Sequence, residues 1–373
     1  MTMAETNQAP QADIAGRLAR LRKALAERDL DGIFVSRAEN RRYLSGFTGS
    51  AGWLLITHDE ALLMTDFRYW EQSRLEAPDF ELVKVVDRLD DVLPGVVERF
   101  EGKRIAFEAA AITVDEHQRW MAANDAVTWV AETNLVEEIR AVKDEAEIGL
   151  IREAARIADA ALAAALAEVR PGMLERDLAW LLERRMREQG ADGPAFDIIV
   201  AGGASGALPH AHARRAPLPA GQPIVIDMGA VVDGYRSDMT RTICLGEPAD
   251  PNSFWTVYNT VLKAQQAALE GIRAGMAGPE ADALARDVIQ RAGYGEEFGH
   301  SLGHGVGLAI HEEPRLGRRS TTVLQPGMVV TIEPGIYLPG WGGVRIEDLV
   351  VVREDGLEVL TSSSKNPLIF GEW

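Results

Sequence analysis

The sequence predicts a two-domain α+β protein, with a smaller α/β domain over residues 1–140 ahead of a larger, pseudo-twofold domain over 141–373. Three observations carry this: alternating short helical and strand patterns in the first third, a charged stretch at Glu137–Glu147, and an internal repeat beyond it. A chain of 373 residues exceeds one ordinary core and fits two domains of roughly 100–200 residues each.

In the first domain Ile14, Leu18, Leu21 and Leu25 recur at spacings of three and four, which reads as an amphipathic helix ending near Asp31-Gly32. Ile33–Val35, Trp53–Ile56, Ala61–Met64, Leu82–Val86 and Ile105–Phe107 read as strands. Gly46, Gly49 and Gly52 punctuate the loop between the first two. No metal-ligand cluster and no phosphate loop is visible here. The charged stretch at Glu137–Glu147 is expected to open a long Ala-rich helix running to about Val169, stopped by Arg170-Pro171-Gly172.

The second domain repeats itself. Arg170-Pro171-Gly172-Met173 precedes a helix ending near Gly190, and Arg273-Ala274-Gly275-Met276 precedes another ending near Gly293. After each comes a strand closed by an acid: Gly221 through Asp227-Met228-Gly229, and Gly327 through Glu333-Pro334-Gly335. The two glycines are 106 positions apart and the two helix starts 103. A duplicated helix, strand and hairpin suggests pseudo-symmetry that brings the two acidic strands together.

Composition narrows the function. Apolar residues make up 46% and charged residues 26%, ordinary for a globular chain, and no apolar run is long enough to span a membrane. Residues 1–13 are polar and acidic, lack secretory features and are expected to fray. A lone Cys244 excludes an internal disulfide and points to the cytoplasm. Within Thr242–Leu245 it reads as a small buried hydrophobe. Fifty-seven acids against 39 bases, a formal charge of −18, argue against nucleic acid and suit cationic ligands.

Each half offers a pair of carboxylates across an expected hairpin. Asp227 and Asp238 flank Asp233-Gly234, and Glu333 and Glu347 flank Pro339-Gly340 and Gly342-Gly343. A hairpin returns its second strand beside its first, so both acids of a pair can face one site. Four carboxylates in an apolar setting cannot all stay ionised without cations, and two divalent metals resolve that repulsion. Three of the seven histidines fall in Gly299–Glu312, with glycines crowding His304 to allow close backbone approach to a metal. His300 and His311 flank it, and His210 and His212 add candidates from a loop. His58 and His117 receive no role.

These stretches, Ile226-Asp227, Ser237 through Thr242, the histidine run, Glu333-Pro334-Gly335 and Val344 through Asp348, resemble the pita-bread metallopeptidases. Within them the chain is similar to the Xaa-Pro aminopeptidase and prolidase branch, compact bacterial type, with a creatinase-like N-terminal domain. The resemblance implies a metal shell of Asp227, Asp238, His304, Glu333 and Glu347, with Asp238 and Glu347 bridging two divalent ions. Manganese is expected, with cobalt or zinc as alternatives. It further implies that Thr240 supports the shell, that His210, His300 and His311 contact substrate, and that Arg345 and Tyr337 orient the carboxylates. Glu333 would shuttle a proton to the proline nitrogen.

The expected function is therefore hydrolysis of the bond between an N-terminal residue and proline by a water activated between the ions. The Xaa-Pro aminopeptidase is favoured, the Xaa-Pro dipeptidase is the alternative, and a non-catalytic peptide-binding module is disfavoured because all five ligands are present. The substrate is a proline-containing peptide, with neither nucleic acid nor membrane as partner. A homodimer meeting through its N-terminal domains is expected. Tyr43–Gly52 reads as a loop over the site, with Arg37, Arg41, Arg42 and Arg68 as candidates for a substrate carboxylate.

Overall fold

The computed structural model describes residues 13–122 and 124–371. Of the expected frayed tail, residues 1–12 lie outside the described residues. The chain divides into two compact units, Met1–Arg140 and Ala141–Trp373.

The first unit is built on a six-stranded sheet in the order Glu81–Val85, Ala61–Asp66, Trp53–Thr57, Gly32–Val35, Arg104–Glu108, Thr128–Glu132. Gly32–Val35 lies parallel to Arg104–Glu108 and antiparallel to Trp53–Thr57. Phe34, Leu55, Met64, Leu93, Val97 and Phe107 form part of its buried core. The first helix runs Ile14–Glu27, capped by the Asp13 side chain, which accepts from Gly16 N at 2.8 Å. It stops short of the expected Asp31-Gly32, because Gly32 already opens the strand. Tyr43–Ser45 belongs to a short helix, Ala38–Ser45, rather than to a loop. Arg41 is buried and donates to Gly49 O and Gly52 O at 2.6 and 2.7 Å. Arg37 pairs with Glu137 and Arg68 with Asp66. Three of the four arginines proposed for a substrate carboxylate thus make contacts that hold their own unit together.

In the second unit the long helix runs Glu145–Leu166, not from Glu137 to Val169. The charged stretch is divided, with Leu135–Ala141 forming its own short helix. The Asp144 side chain accepts Glu147 N at 2.9 Å while the Glu147 carboxylate accepts Asp144 N at 3.0 Å, a reciprocal cap that fixes the start. Ile148, Ile151, Ala155, Ala158 and Leu162 give the helix its buried face.

The repeat is real and begins one helix earlier than the sequence suggests. Glu145–Leu166 and Pro251–Gly271 are counterparts, followed by Glu175–Glu188 and Gly278–Arg291. Each helix pair packs on the sheet of its own half. Leu162, Leu178 and Leu182 meet Val200, Ile224 and Ile226, and Val261, Ala285 and Ile289 share a core with Val330, Ile332 and Val350.

The acidic strands are not simple hairpins. Pro223–Met228 pairs antiparallel with Met239–Leu245, and Val329–Ile332 with Asp348–Arg353. Between the members of each pair the chain makes a smaller hairpin, Ala230–Val232 with Tyr235–Arg236 in one half and Gly335–Leu338 with Gly342–Arg345 in the other. Asp238 and Glu347 each sit where the chain returns from the inner hairpin to the outer ladder. Cys244 is fully buried in the returning strand, and burial pushes its thiol up to about 11, as expected of a small core residue.

The halves are stitched together beneath the acids. Glu347 N donates to Thr240 O at 3.1 Å, and Thr242 Oγ1 both donates to Arg345 O and accepts from Arg345 N at 3.0 Å. Arg241 pairs with Asp348 at 2.7 Å with both side chains buried, and Asp348 also receives Gln265 at 2.6 Å and Thr361 at 2.9 Å. Burial alone would raise the Asp348 carboxyl, but Arg241 and Lys365 hold it below its ordinary value. Asp348→Ala would leave Arg241 buried without its carboxylate, so a loss of about 3–5 kcal/mol is expected, read as a fall in the urea midpoint. An unchanged midpoint would show that this stitch contributes nothing.

Candidate metal centre

Asp227, Asp238, Glu333, Glu347 and His304 all line one cavity of about 550 Å³ within the second unit. Carboxylate oxygens of Asp227, Asp238 and Glu347 lie within 4.8 Å of one another. His304 Nε2 stands 3.4 Å from Glu333 Oε1 and 3.7 Å from Asp238 Oδ2. The strands thus deliver two acids from each half, and the Gly303–Gly305 strand adds the imidazole.

The donor set fits divalent cations. Asp227 Oδ1 is buried without a hydrogen-bond partner among the described residues, an arrangement that costs free energy unless a cation satisfies it. Burial, and then the neighbouring carboxylates, push Asp238 and Glu347 well above the ordinary carboxylate range. Burial lifts Glu333 to about 7. His304 is held neutral, its pKa lowered to about 3 chiefly by burial. Its Nδ1–H donates to Gly305 O at 3.1 Å, which leaves the Nε2 lone pair facing Glu333 and Asp238. A buried site of four carboxylates and a lone-pair imidazole is a cation cage before any cation enters.

The glycines beside His304 serve the sheet rather than a close approach to metal. A Cβ on Gly303 would lie 1.9 Å from Thr331 O, and one on Gly305 would lie 2.2 Å from Glu313 O. Only glycine lets the neighbouring strands come this near.

Arg345 organises one side of the cage. Its Nη2 meets Asp227 Oδ2 at 2.5 Å, Nε donates to Thr240 Oγ1 at 2.9 Å, and Nη1 donates to the Tyr337 hydroxyl at 2.9 Å. Burial alone would lower its pKa, but Tyr337, Asp227, Glu333 and Glu347 keep it charged. Thr240 Oγ1 in turn donates to Glu347 Oε2 at 2.6 Å. Tyr337, lifted to about 12 by burial, stays a phenol.

Four more histidines line the same cavity in different states. His300 has both ring nitrogens engaged, Nδ1 with Ser301 O at 2.8 Å and Nε2 with the Tyr337 hydroxyl at 3.0 Å. What it offers the cavity is a ring surface rather than a spare donor, and burial lowers it to about 4. The His311 ring packs edge-on against His304 at 4.4 Å, and burial followed by Arg315 lowers its pKa. His210 and His212 are exposed on the loop they share, flanking a buried Ala211. His58 contacts Leu30 O and His117 packs on Phe107, both contacts within the first unit.

Sequence reasoning missed Arg315, Asp197, Phe196 and Ile310, which also line the cavity. Arg315 stands four residues beyond His311, in the strand Glu312–Leu316 that pairs with the His304 strand. That pairing puts Arg315 directly opposite His304. The signal was proximity to the histidine run; the register could not be read without the fold.

Residues 17–142 match the creatinase/prolidase N-terminal domain, and residues 149–354 match metallopeptidase family M24. An Xaa-Pro dipeptidase from Bacillus anthracis superposes with a TM-score of 0.91 at 45% identity, covering 96% of this chain and 100% of that one. An X-Pro aminopeptidase from Thermotoga maritima superposes at 0.87 with 40% identity, over 95% and 99% of the two chains. The Xaa-Pro dipeptidase of Pyrococcus furiosus is 37% identical over 353 residues, 94% of this chain and 99% of its own. With both domains matched and the acidic cluster seated in the second, the chain belongs to metallopeptidase family M24, a hydrolase with a pita-bread catalytic domain behind a creatinase-type N-terminal domain.

Proposed function

We propose that the chain is a dinuclear Xaa-Pro dipeptidase that releases proline from its amide bond to a single preceding residue. The observation that carries this is Arg315 facing the same 550 Å³ cavity as the acidic cluster. A dipeptide presents its proline carboxylate next to the scissile bond, where a guanidinium can take it bidentately. A longer peptide has an amide there instead. The aminopeptidase favoured from sequence has a namesake in the Thermotoga relative. The Bacillus anthracis, Pyrococcus furiosus and Pyrococcus horikoshii relatives support the dipeptidase.

Asp227, Asp238, His304, Glu333 and Glu347 would hold two ions. Such ions supply Lewis acidity toward the scissile carbonyl and lower the pKa of the attacking water. Glu333 Oε1 accepts from Thr331 Oγ1 at 3.1 Å, so Oε2 is left to take a proton from the water and deliver it to the proline nitrogen. That nitrogen carries no hydrogen in a tertiary amide and leaves well only once protonated. His311 and His210, which line the cavity, would donate toward the developing oxyanion, and Arg345 with Thr240 would keep Asp227 and Glu347 oriented. The carboxylate-rich donor set supports manganese over zinc. The lone buried cysteine supports the cytoplasm, and the homodimer follows from the family resemblance.

The test is hydrolysis of Ala-Pro against Ala-Pro-Ala with added manganese and a chelator control. A preference in kcat/KM of at least about tenfold for the dipeptide is expected, because Arg315 is left unpaired by the longer chain. The reverse preference would restore the aminopeptidase.

A further inference from the structure

Each half of the catalytic unit holds its histidine-bearing segment with a buried carboxylate on its own helix. In the first half the carboxylate is Glu175, 1% exposed, at the start of the Glu175–Glu188 helix. Its Oε1 accepts Gly202 N at 3.0 Å, and Arg214 closes on it with Nε to Oε2 at 3.0 Å and Nη2 to Oε1 at 2.9 Å. Arg214 N also donates to Oε2 at 3.0 Å. Glu175 N donates to Ala216 O at 2.9 Å, and Arg176 N to Arg214 O at 3.1 Å. One side chain thereby ties together both ends of the segment 202–216.

That segment carries His210 and His212 into the cavity; its first turn, Gly203–Ala207, packs on the Gly342–Arg345 strand, and Ser205 Oγ adds a further donor to Glu175 Oε1 at 3.2 Å. Ala211 packs with Ile199 and Ala201, and Pro209 O accepts from Arg345 Nη1 at 3.3 Å. Both histidines stay exposed, so their placement depends on the backbone beneath them. Fixing a backbone costs conformational entropy, and a loop not ordered in advance draws that cost from substrate binding.

The second half uses the same device at a different helix position. Asp282 accepts Leu302 N at 3.0 Å and pairs with Arg286 at 2.5 and 2.8 Å. Arg286 then donates to Phe298 O and His300 O at 2.8 and 2.7 Å. Glu175 is the first residue of its helix, while Asp282 lies in the second turn of its own. The common element is a carboxylate–guanidinium pair whose carboxylate also accepts at least one backbone amide of a histidine-bearing segment.

We propose that Glu175 is a positioning residue: through Arg214 and Gly202 N it sets the placement of His210 and His212, and hence substrate affinity, without touching substrate or metal. Asp282 is its counterpart for the segment leading to His304, where the consequence falls on metal affinity. The substrate side of this inference rests on the Xaa-Pro dipeptidase reading.

The experiment compares Glu175→Gln, the milder surface-side Arg214→Met, the conservative Arg214→Lys, and Asp282→Asn. Glu175→Gln and Arg214→Met are expected to raise KM for Ala-Pro by about tenfold or more, with manganese Kd within about twofold of the parent and partial recovery in Arg214→Lys. Hydrogen exchange should quicken across residues 203–216 and not across 298–304. Asp282→Asn should show the opposite pattern, with manganese Kd raised about tenfold and exchange quickened at 298–304. Unchanged KM and exchange in Glu175→Gln, or a parallel loss of metal and activity, would overturn the proposal. Metal binding and exchange need no substrate, so a parent enzyme inactive on Xaa-Pro would sink the dipeptidase reading while these two measurements still judged the clasp.

Discussion

Glu333→Gln should abolish turnover while the protein still folds and binds metal. Glu333 lines the cavity with the other acids, its Oε1 3.4 Å from His304 Nε2, and as a carboxylate it can both accept and release a proton. Glutamine keeps a ligand oxygen and the shape of the side chain but carries no titratable proton. The expected loss in kcat is about 10²–10⁴-fold, the usual worth of a positioned acid–base group. The assay belongs at saturating manganese, with bound metal measured on the same sample. Near-normal turnover at full occupancy would remove Glu333 from the proton path.

Chelation should erase hydrolysis and also destabilise the protein in a pH-dependent way. Asp238, Glu347 and Glu333 all have folded-state pKa values raised by burial and by one another, Glu333 to about 7. For an acid raised in this direction, the stability it contributes is fully present below the unfolded value of about 4.5 and is lost as pH rises through the folded value. The metal-free protein therefore weakens between about pH 5 and pH 8. Glu333 alone accounts for on the order of 3 kcal/mol across that range. Bound cations compensate the ionised carboxylates, so the metal-loaded protein lacks this decline. The measurement is the difference in thermal midpoint between chelated and manganese-loaded protein at several pH values. It should widen as pH rises. A difference that stays constant from pH 5 to 8 would mean the carboxylates do not repel one another as their burial implies.

Much of the site was legible because spacing and residue type carry it. Asp227 with Asp238 and Glu333 with Glu347 stood in matched halves, and their strands come together at one cavity. The expected hairpins, however, are nested. Whether the ten residues between Asp227 and Asp238 form one turn or an inner hairpin depends on pairing between strands, which local preference does not specify. The same limit hid Pro251–Gly271 as the partner of Glu145–Leu166, since a helix's role in a repeat is set by what it packs against.

What the sequence by itself determined was the inventory: two domains, a duplicated half with a pair of acids in each, and a histidine-rich run between the two pairs. Those follow from composition, periodicity and residue type, which are properties of the chain before it folds. Tertiary structure alone decided the electrical state and the use of each group. It consumed both nitrogens of His300 on Ser301 and Tyr337, spent Arg41 on Gly49 and Gly52, and set Arg315 opposite His304 across a strand pair. The physical reason is that a pKa, a tautomer or a free donor is a difference between water and a particular set of neighbours, and those neighbours come from distant parts of the chain.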